Sequence, residues 1–114
     1  MRLYQNFLKG SWSGRDRFRA RLAMAEGFVA NAGTSDPMPL VQPLAEECLQ
    51  RRIADWEPEL AVQCWQLVHR AARAALANPT LNTIAARRET CEKTMADALG
   101  HIASLDFTLA SRLA

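Results

Sequence analysis

The side chains best suited to chemistry in this 114-residue chain are a carboxylate and a histidine in its last third. Asp97 and His101 are four residues apart, which places them on one face of a helix, and Glu89 and Glu92 lie one to three turns earlier. Carboxylate and imidazole groups bind divalent metals, but a di-metal helical bundle uses two Glu-x-x-His units, and the sequence contains none. A lone pair at this spacing is more often a solvated ion pair. We therefore expect no metal site and no cofactor.

Four glutamates form a second grouping that could support acid and base catalysis. They are Glu46, Glu47, Glu57 and Glu59. Each falls in a predicted first helical turn or in a joint between helices, where a negative charge stabilises the positive end of the helix dipole. The chain has no G-x-S-x-G, no glycine-rich phosphate loop and no H-E-x-x-H. We predict a non-enzymatic protein with no catalytic residue. A small enzyme that uses Glu46, Glu47 or His101 in a pocket between helices is a third hypothesis.

The remaining histidine and the cysteines favour structural roles. His69 is followed by Arg70 and Arg73 near the predicted end of a helix, where a positive charge is welcome. The three cysteines are odd in number and show no C-x-x-C spacing, which argues against a disulfide framework and a zinc site. Each lies within an apolar pattern, so we expect reduced thiols in the core. The three are Cys48, Cys64 and Cys91.

The charge of the chain is concentrated at its beginning. Residues 1–21 contain six basic residues against Asp16 alone, a charge of +5, whereas the other 93 residues carry eight basic against eleven acidic groups, a charge of −3. Aromatic residues at 4, 7, 12 and 18 alternate with this basic segment, a composition typical of a nucleic-acid surface. It is also the composition of an amphipathic helix whose arginine stems pack along the core. Nucleic-acid binding is the second hypothesis, and it rests on Arg15, Arg17, Arg19 and Arg21.

A helix-turn-helix over residues 44–77 is an alternative route to nucleic-acid binding. The joint around Glu57 and Pro58 is short enough for this motif. The following helix, however, begins with Glu59, Leu60 and Ala61, which are acidic and apolar where a recognition helix needs polar groups for base edges. The pattern disfavours this alternative.

The elements that must position these residues are all helical. Apolar residues recur at three- and four-residue spacing, and no stretch alternates long enough for a strand, so we predict an all-α bundle of four to five helices. We expect a single domain. It would consist of a basic helical segment at 1–32, a proline-rich linker at 33–43 and a three-helix antiparallel core at 44–114. Within these parts the expected helices cover residues 15–31, 44–56, 58–77 and 81–113, and the spacing within residues 1–13 fits one short amphipathic turn or two.

The last predicted helix carries the most distinctive pattern. Steps of three and four residues from Leu81 fall on apolar or sulfur-containing residues at eight of ten positions, which predicts a long apolar seam. Arg88 interrupts the seam, and we expect it either to meet an acidic residue of another helix or subunit, or to turn toward solvent. The seam weakens near Gly100, where a break is expected, with Ser104 and Asp106 able to cap a new helix.

The seam leads to a prediction of function. The 58–77 helix should cover its first part, which leaves the region beyond Gly100 for a partner. We predict an interaction or adaptor protein that docks through an apolar helix surface, with a second copy in a homodimer, or another protein, as partner. The predicted contact residues are Ile102, Leu105, Phe107, Leu109 and Arg88. A chain with no apolar run of about 18 residues and no apolar leader should have no membrane span and should be cytoplasmic.

Overall fold

The computed structural model describes residues 14–31, 36–79 and 84–113 and, within them, contains six α-helices and no strand. The predicted all-α fold is confirmed. The helices are α1 (Gly14–Ala30), α2 (Met38–Gln50), α3 (Ile53–Trp56), α4 (Pro58–Ala77), α5 (Ala85–Leu105) and α6 (Phe107–Leu113). The short amphipathic turns predicted within 1–13 and the first seam residue Leu81 lie outside the described residues.

Helix α4 forms the centre of the bundle, and both its ends lie where the sequence predicted them. Pro58 occupies the first turn, where its missing N–H has no partner to lose, and the chain leaves the helix at Asn78 before Pro79. Ten of its residues are buried, more than in any other described helix. Helices α1, α2, α3 and α5 all pack against it. Burying each leucine or valine of this face stabilises the fold by roughly 1.5–3 kcal/mol.

Helix α2 begins earlier than predicted, so the expected linker at 33–43 is wrong for residues 38–43. A carboxylate oxygen of Asp36 accepts the backbone N–H of Met38 at 3.0 Å, and Pro37 already has a helical φ of −81°. Prolines in a first turn are compatible with a helix because their fixed φ is close to the helical value. Pro43 lies inside the helix, where it removes a single hydrogen bond to the first turn. Asp36 also forms an ion pair with Arg87, which joins the start of α2 to α5.

The single helix predicted at 44–56 is divided in two by Arg52. This residue has a φ of +51°, in the left-handed region that normally requires glycine, and it ends α2 and starts α3. Leu49 and Trp56, which were expected to face inward, are 55% and 49% exposed. The joint resets the helical phase and thereby turns Trp56 outward, whereas Leu49 lies in α2 before the joint. Ile53 is buried as expected.

The long C-terminal helix is also two helices, and the break lies at Asp106. Gly100 is inside α5, so the expected weak point near 100–104 lies a few residues too early. Asp106 adopts an extended conformation, and its carboxylate accepts the backbone N–H of Leu109 at 3.1 Å, the geometry of an N-cap. The capping role predicted for Asp106 is therefore observed, and α6 begins immediately after it.

Helix α1 is fixed to the bundle by an apolar stripe and two ion pairs. Phe18 and Leu22 are buried toward α2 and α4. The remaining members of its buried stripe are Ala20, Ala25 and Val29. At the edge of this contact, Arg15 pairs with Glu57 and Arg21 pairs with Glu47. The basic segment therefore contributes to packing through its arginines.

Candidate interaction surface

The predicted partner-binding residues divide into buried and exposed positions. Ile102 is fully buried in the core, so its side chain is unavailable to a partner, and its assignment to the contact surface is wrong. Leu105 and Leu109 are half-buried and pack against the core. Phe107, the first residue of α6, is 75% exposed, the largest value among the large apolar side chains described. The exposed part of the predicted surface is therefore centred on Phe107.

Arg88 turns toward solvent, which is the second of the two outcomes expected for it. Its Nε lies 3.2 Å from an oxygen of Glu92, one turn later on the same helix, and the arginine side chain is 64% exposed. Such a pair on a helix surface contributes only about 0.3–0.5 kcal/mol. Ile84, the seam residue one turn before it, is 63% exposed. The seam positions in the first turns of α5 thus lie at the surface. The helix face that packs on α4 is a different one from the face that the sequence spacing predicted.

A hollow between α2, α3 and α5 adds residues to this surface. It is lined by Leu49 and Ala54 on one side and by Leu105 on the other. Its floor is Trp65 of α4, and the imidazole of His101 stacks on the indole with ring centres 4.1 Å apart and planes inclined by 12°. We call this region the α2–α5 hollow. It places Leu105 beside apolar residues from two other helices.

Two carboxylates border an adjoining recess that shares Leu49, Trp65 and His101 with the hollow. Glu46 of α2 and Asp97 of α5 line it together with His101, so three residues considered for chemistry are close in space. Within the described residues, however, no group of three or more His, Cys, Asp or Glu side chains is placed to hold a metal ion. The absence of a cofactor and of catalysis stays a prediction.

Sequence reasoning missed the exposed face of Leu49 and Trp56. Both residues follow the helical period that placed them inside a continuous helix. For Trp56, which follows the joint, the missing signal is the left-handed conformation of Arg52, and an arginine gives no sequence indication of that conformation. Leu49 precedes the joint, so the change of phase does not account for its exposure.

The four arginines of the second hypothesis are partly engaged within the protein. Arg15 pairs with Glu57 and also lies 3.9 Å from Asp16, and Arg21 pairs with Glu47. Arg19 is exposed on α1. Because carboxylates neutralise the guanidinium groups of Arg15 and Arg21, the surface that could bind phosphate is smaller than the sequence suggests. Nucleic-acid binding remains a prediction.

The cysteines are free and buried, as expected for core thiols. Cys64 of α4 donates a hydrogen bond to Cys48 of α2, which lowers the pKa of Cys48. The same bond, together with burial, raises the pKa of Cys64. Burial and the hydrogen bond that it donates therefore keep the thiol of Cys64 protonated. The two thiols join α2 to α4.

Comparison with known proteins identifies a family. Residues 1–68 match the family described as "Type VI secretion, EvfE, EvfF, ImpA, BimE, VC_A0119, VasJ". The match covers more than half of the chain and extends from the basic segment to the middle of α4. The chain belongs to this family. No curated protein and no solved structure matches it.

Membership of the type VI secretion family supports protein partners, in agreement with the coarse prediction of function. Its description does not specify the partner or the docking surface. Among the described residues no helix is long and apolar enough to cross a bilayer. The rest of α4, α5 and α6 lie beyond the matched residues.

Proposed function

We propose that this chain is a cytoplasmic, non-enzymatic accessory component of type VI secretion that acts by docking a helical surface onto another protein. The observation that carries the proposal is the family match over residues 1–68. The docking surface is assigned to Phe107 with Leu105 and Leu109. This assignment retains the exposed part of the sequence prediction and omits the buried Ile102.

Physical chemistry supports Phe107 as the centre of that surface. A phenylalanine side chain buries about 150–250 Å² in a core or an interface, and each square ångström contributes about 25 cal/mol. At 75% exposure, Phe107 leaves most of this contribution unused within the chain. The N-cap at Asp106 fixes the start of α6 and with it the position of the aromatic ring. A partner gains the apolar contact without having to order the helix first.

The partner we propose first is a second copy of the chain. A two-fold dimer uses the same surface on both subunits, so one exposed aromatic residue supplies two contacts across the symmetry axis. Leu105 lies at the edge of the α2–α5 hollow, where Leu49 adds exposed apolar surface. The same surface would suit another type VI secretion protein if the chain is monomeric.

The test compares Phe107→Asp with Thr108→Asp. Both variants add one negative charge to the first turn of α6, but only the first removes an apolar contact. Light scattering should give the wild-type chain and Thr108→Asp a mass near twice 12.7 kDa, and Phe107→Asp a mass near 12.7 kDa. If all three are monomers, each protein is used to recover partners from cells with an active type VI system. Identical recovery by both variants would then show that docking at Phe107 is wrong.

A further inference from the structure

A second groove lies between α4, α5 and α6, away from the α2–α5 hollow. It has a volume of about 670 Å³ and is open on one side. Its apolar lining comes from all three helices: Leu76, Met95, Leu99 and Leu113. His69, Arg73 and Arg112 also line it. We call it the α4–α6 groove. It lies entirely beyond residue 68, where the family match ends.

Among the described residues, no carboxylate forms an ion pair with the cations of this groove. Arg73 on α4 and Arg112 on α6 border it from different helices, and neither forms an ion pair with a carboxylate of the described residues. Six arginines elsewhere in the described part of the chain do form such pairs. They are Arg15, Arg21, Arg51, Arg52, Arg87 and Arg88. The groove therefore presents two separated cations next to an apolar floor.

His69 adds a polar side chain to the lining of the groove. The residue is only 5% exposed. Burial and the nearby charge of Arg73 both lower the pKa of His69, which favours a neutral ring able to donate one hydrogen bond and accept another.

The shape and charge together favour one kind of occupant. A fatty acid carries a single carboxylate, whereas Arg73 and Arg112 are cations on separate helices. An amphipathic helix presents apolar residues at three- and four-residue spacing and can carry a carboxylate on each flank of that stripe. We propose that the α4–α6 groove binds an acidic amphipathic helix of a partner protein. Its apolar side chains contact Met95 and Leu99, and its carboxylates pair with Arg73 and Arg112.

This inference rests on the proposed function as a docking protein, but it concerns a different surface. Phe107 is not among the residues that line the α4–α6 groove. The two surfaces would let the chain join one partner at Phe107 to another at Arg73 and Arg112. Each can therefore be disrupted separately.

The test uses synthetic amphipathic peptides and the full chain. The first peptide is a helix of about 18 residues, a length that isolated helices need, with a leucine stripe flanked by glutamates; the second has lysines in place of the glutamates. Fluorescence anisotropy should show that the chain binds the glutamate peptide and not the lysine peptide. Arg73→Glu and Arg112→Glu should each weaken binding by about tenfold, because each replaces an attraction by a repulsion.

The matched control is Arg70→Glu, which makes the same charge change at an exposed site of α4 outside the groove. Its affinity should fall less than that of Arg73→Glu, since Arg70 does not line the groove and its exposed charge is partly screened by salt. The double variant Arg73→Glu, Arg112→Glu should bind the lysine peptide, and circular dichroism should confirm that every variant is folded.

Three results would overturn the proposal. They are equal binding of both peptides, unchanged affinity in the Arg73→Glu, Arg112→Glu variant, and binding of oleate with no binding of either peptide. The last result would assign the groove to free amphiphiles. None of them alters the mass measurement on Phe107→Asp, so failure at the groove and failure of the proposed function are distinguishable.

Discussion

At the scale of single residues, His69 combines burial and charge in a way that affects stability. It is the buried polar side chain of the described core, and Arg73 lies one turn later on the same helix. Both burial and that positive charge disfavour the protonated imidazolium, so the pKa of His69 lies below its ordinary value of 6.5. The sequence suggested that the residue acts as a cation near a helix end. The structure instead favours the neutral ring.

We predict that the folded chain loses stability between neutral pH and pH 5.5 through His69. As the pH falls through 6.5, the unfolded chain takes up a proton that the folded chain does not, so the free energy of unfolding decreases until the pH reaches the folded pKa. Urea unfolding followed by circular dichroism at pH 7 and pH 5.5 measures this difference. His69→Gln should reduce it.

Two arginine variants separate the causes of the effect. Arg73→Gln should reduce the pH dependence and leave part of it, because burial is the larger cause of the lowered pKa of His69. Arg70→Gln should leave the dependence at the wild-type value, since Arg70 does not contribute to that shift. A pH dependence in His69→Gln equal to that of wild type would assign it to other groups.

At the scale of helices, the joint between α2 and α3 decides which apolar residues face solvent. Arg51 and Arg52 have opposite backbone conformations, with φ of −87° and +51°. A non-glycine residue in the left-handed region costs about 1–2 kcal/mol, and the ion pair of Arg52 with Asp55 is too exposed to offset this cost. Burial of the Ile53 side chain, which follows the joint, offsets the cost of the left-handed conformation.

We predict that Arg52→Gly stabilises the chain. Glycine removes the strain at this position and loses about 0.5–1 kcal/mol of backbone entropy, so the net gain should be about 0.5–1 kcal/mol. Arg51→Gly is the matched control, and it should lower stability because its φ suits any residue and its contact with Glu47 is lost. Chemical unfolding measures both variants. Destabilisation of equal size in the two would argue against strain at Arg52.

The helices differ in how far sequence alone could define them. The bounds of α4 follow from Pro58 and from Asn78 with Pro79, which act locally through missing donors and restricted backbone angles. The start of α2 could not be derived in this way, because Pro37 and Pro39 suit a linker and a first helical turn equally. What decides it is a capping contact of Asp36 and burial of Met38 against other helices.

The candidate site was predictable only in part for a similar reason. Phe107 was identified because it lies in the apolar region beyond Gly100, and it is exposed. Ile102 was assigned to the partner surface because apolar periodicity alone does not distinguish a helix face that packs on α4 from a face that contacts a partner. The α4–α6 groove joins residues 69 and 113, and no local pattern relates such distant positions.

At the scale of the whole molecule, the uneven charge of the chain is partly neutralised by folding. The first 21 residues carry +5 and the rest −3, and ion pairs join these regions at Arg15 with Glu57 and at Arg21 with Glu47. Partly exposed pairs of this kind, at the edge of the bundle, contribute about 0–1 kcal/mol each to stability. Their larger effect is to lower the positive potential of α1, which is the potential that a nucleic acid would meet.

We predict that releasing these two arginines increases salt-dependent binding to nucleic acid. In Glu47→Gln, Glu57→Gln, two further guanidinium groups become available for phosphates, so the slope of log affinity against log salt should steepen by about 1.4 for single strands. Glu59→Gln, Glu89→Gln changes the net charge by the same amount at glutamates that are not paired with α1 and should leave the slope near that of wild type. Titration of mixed single-stranded oligonucleotides at several salt concentrations gives all three slopes. Equal slopes in the two double variants would mean that net charge alone governs the binding, and that the ion pairs of α1 do not limit it.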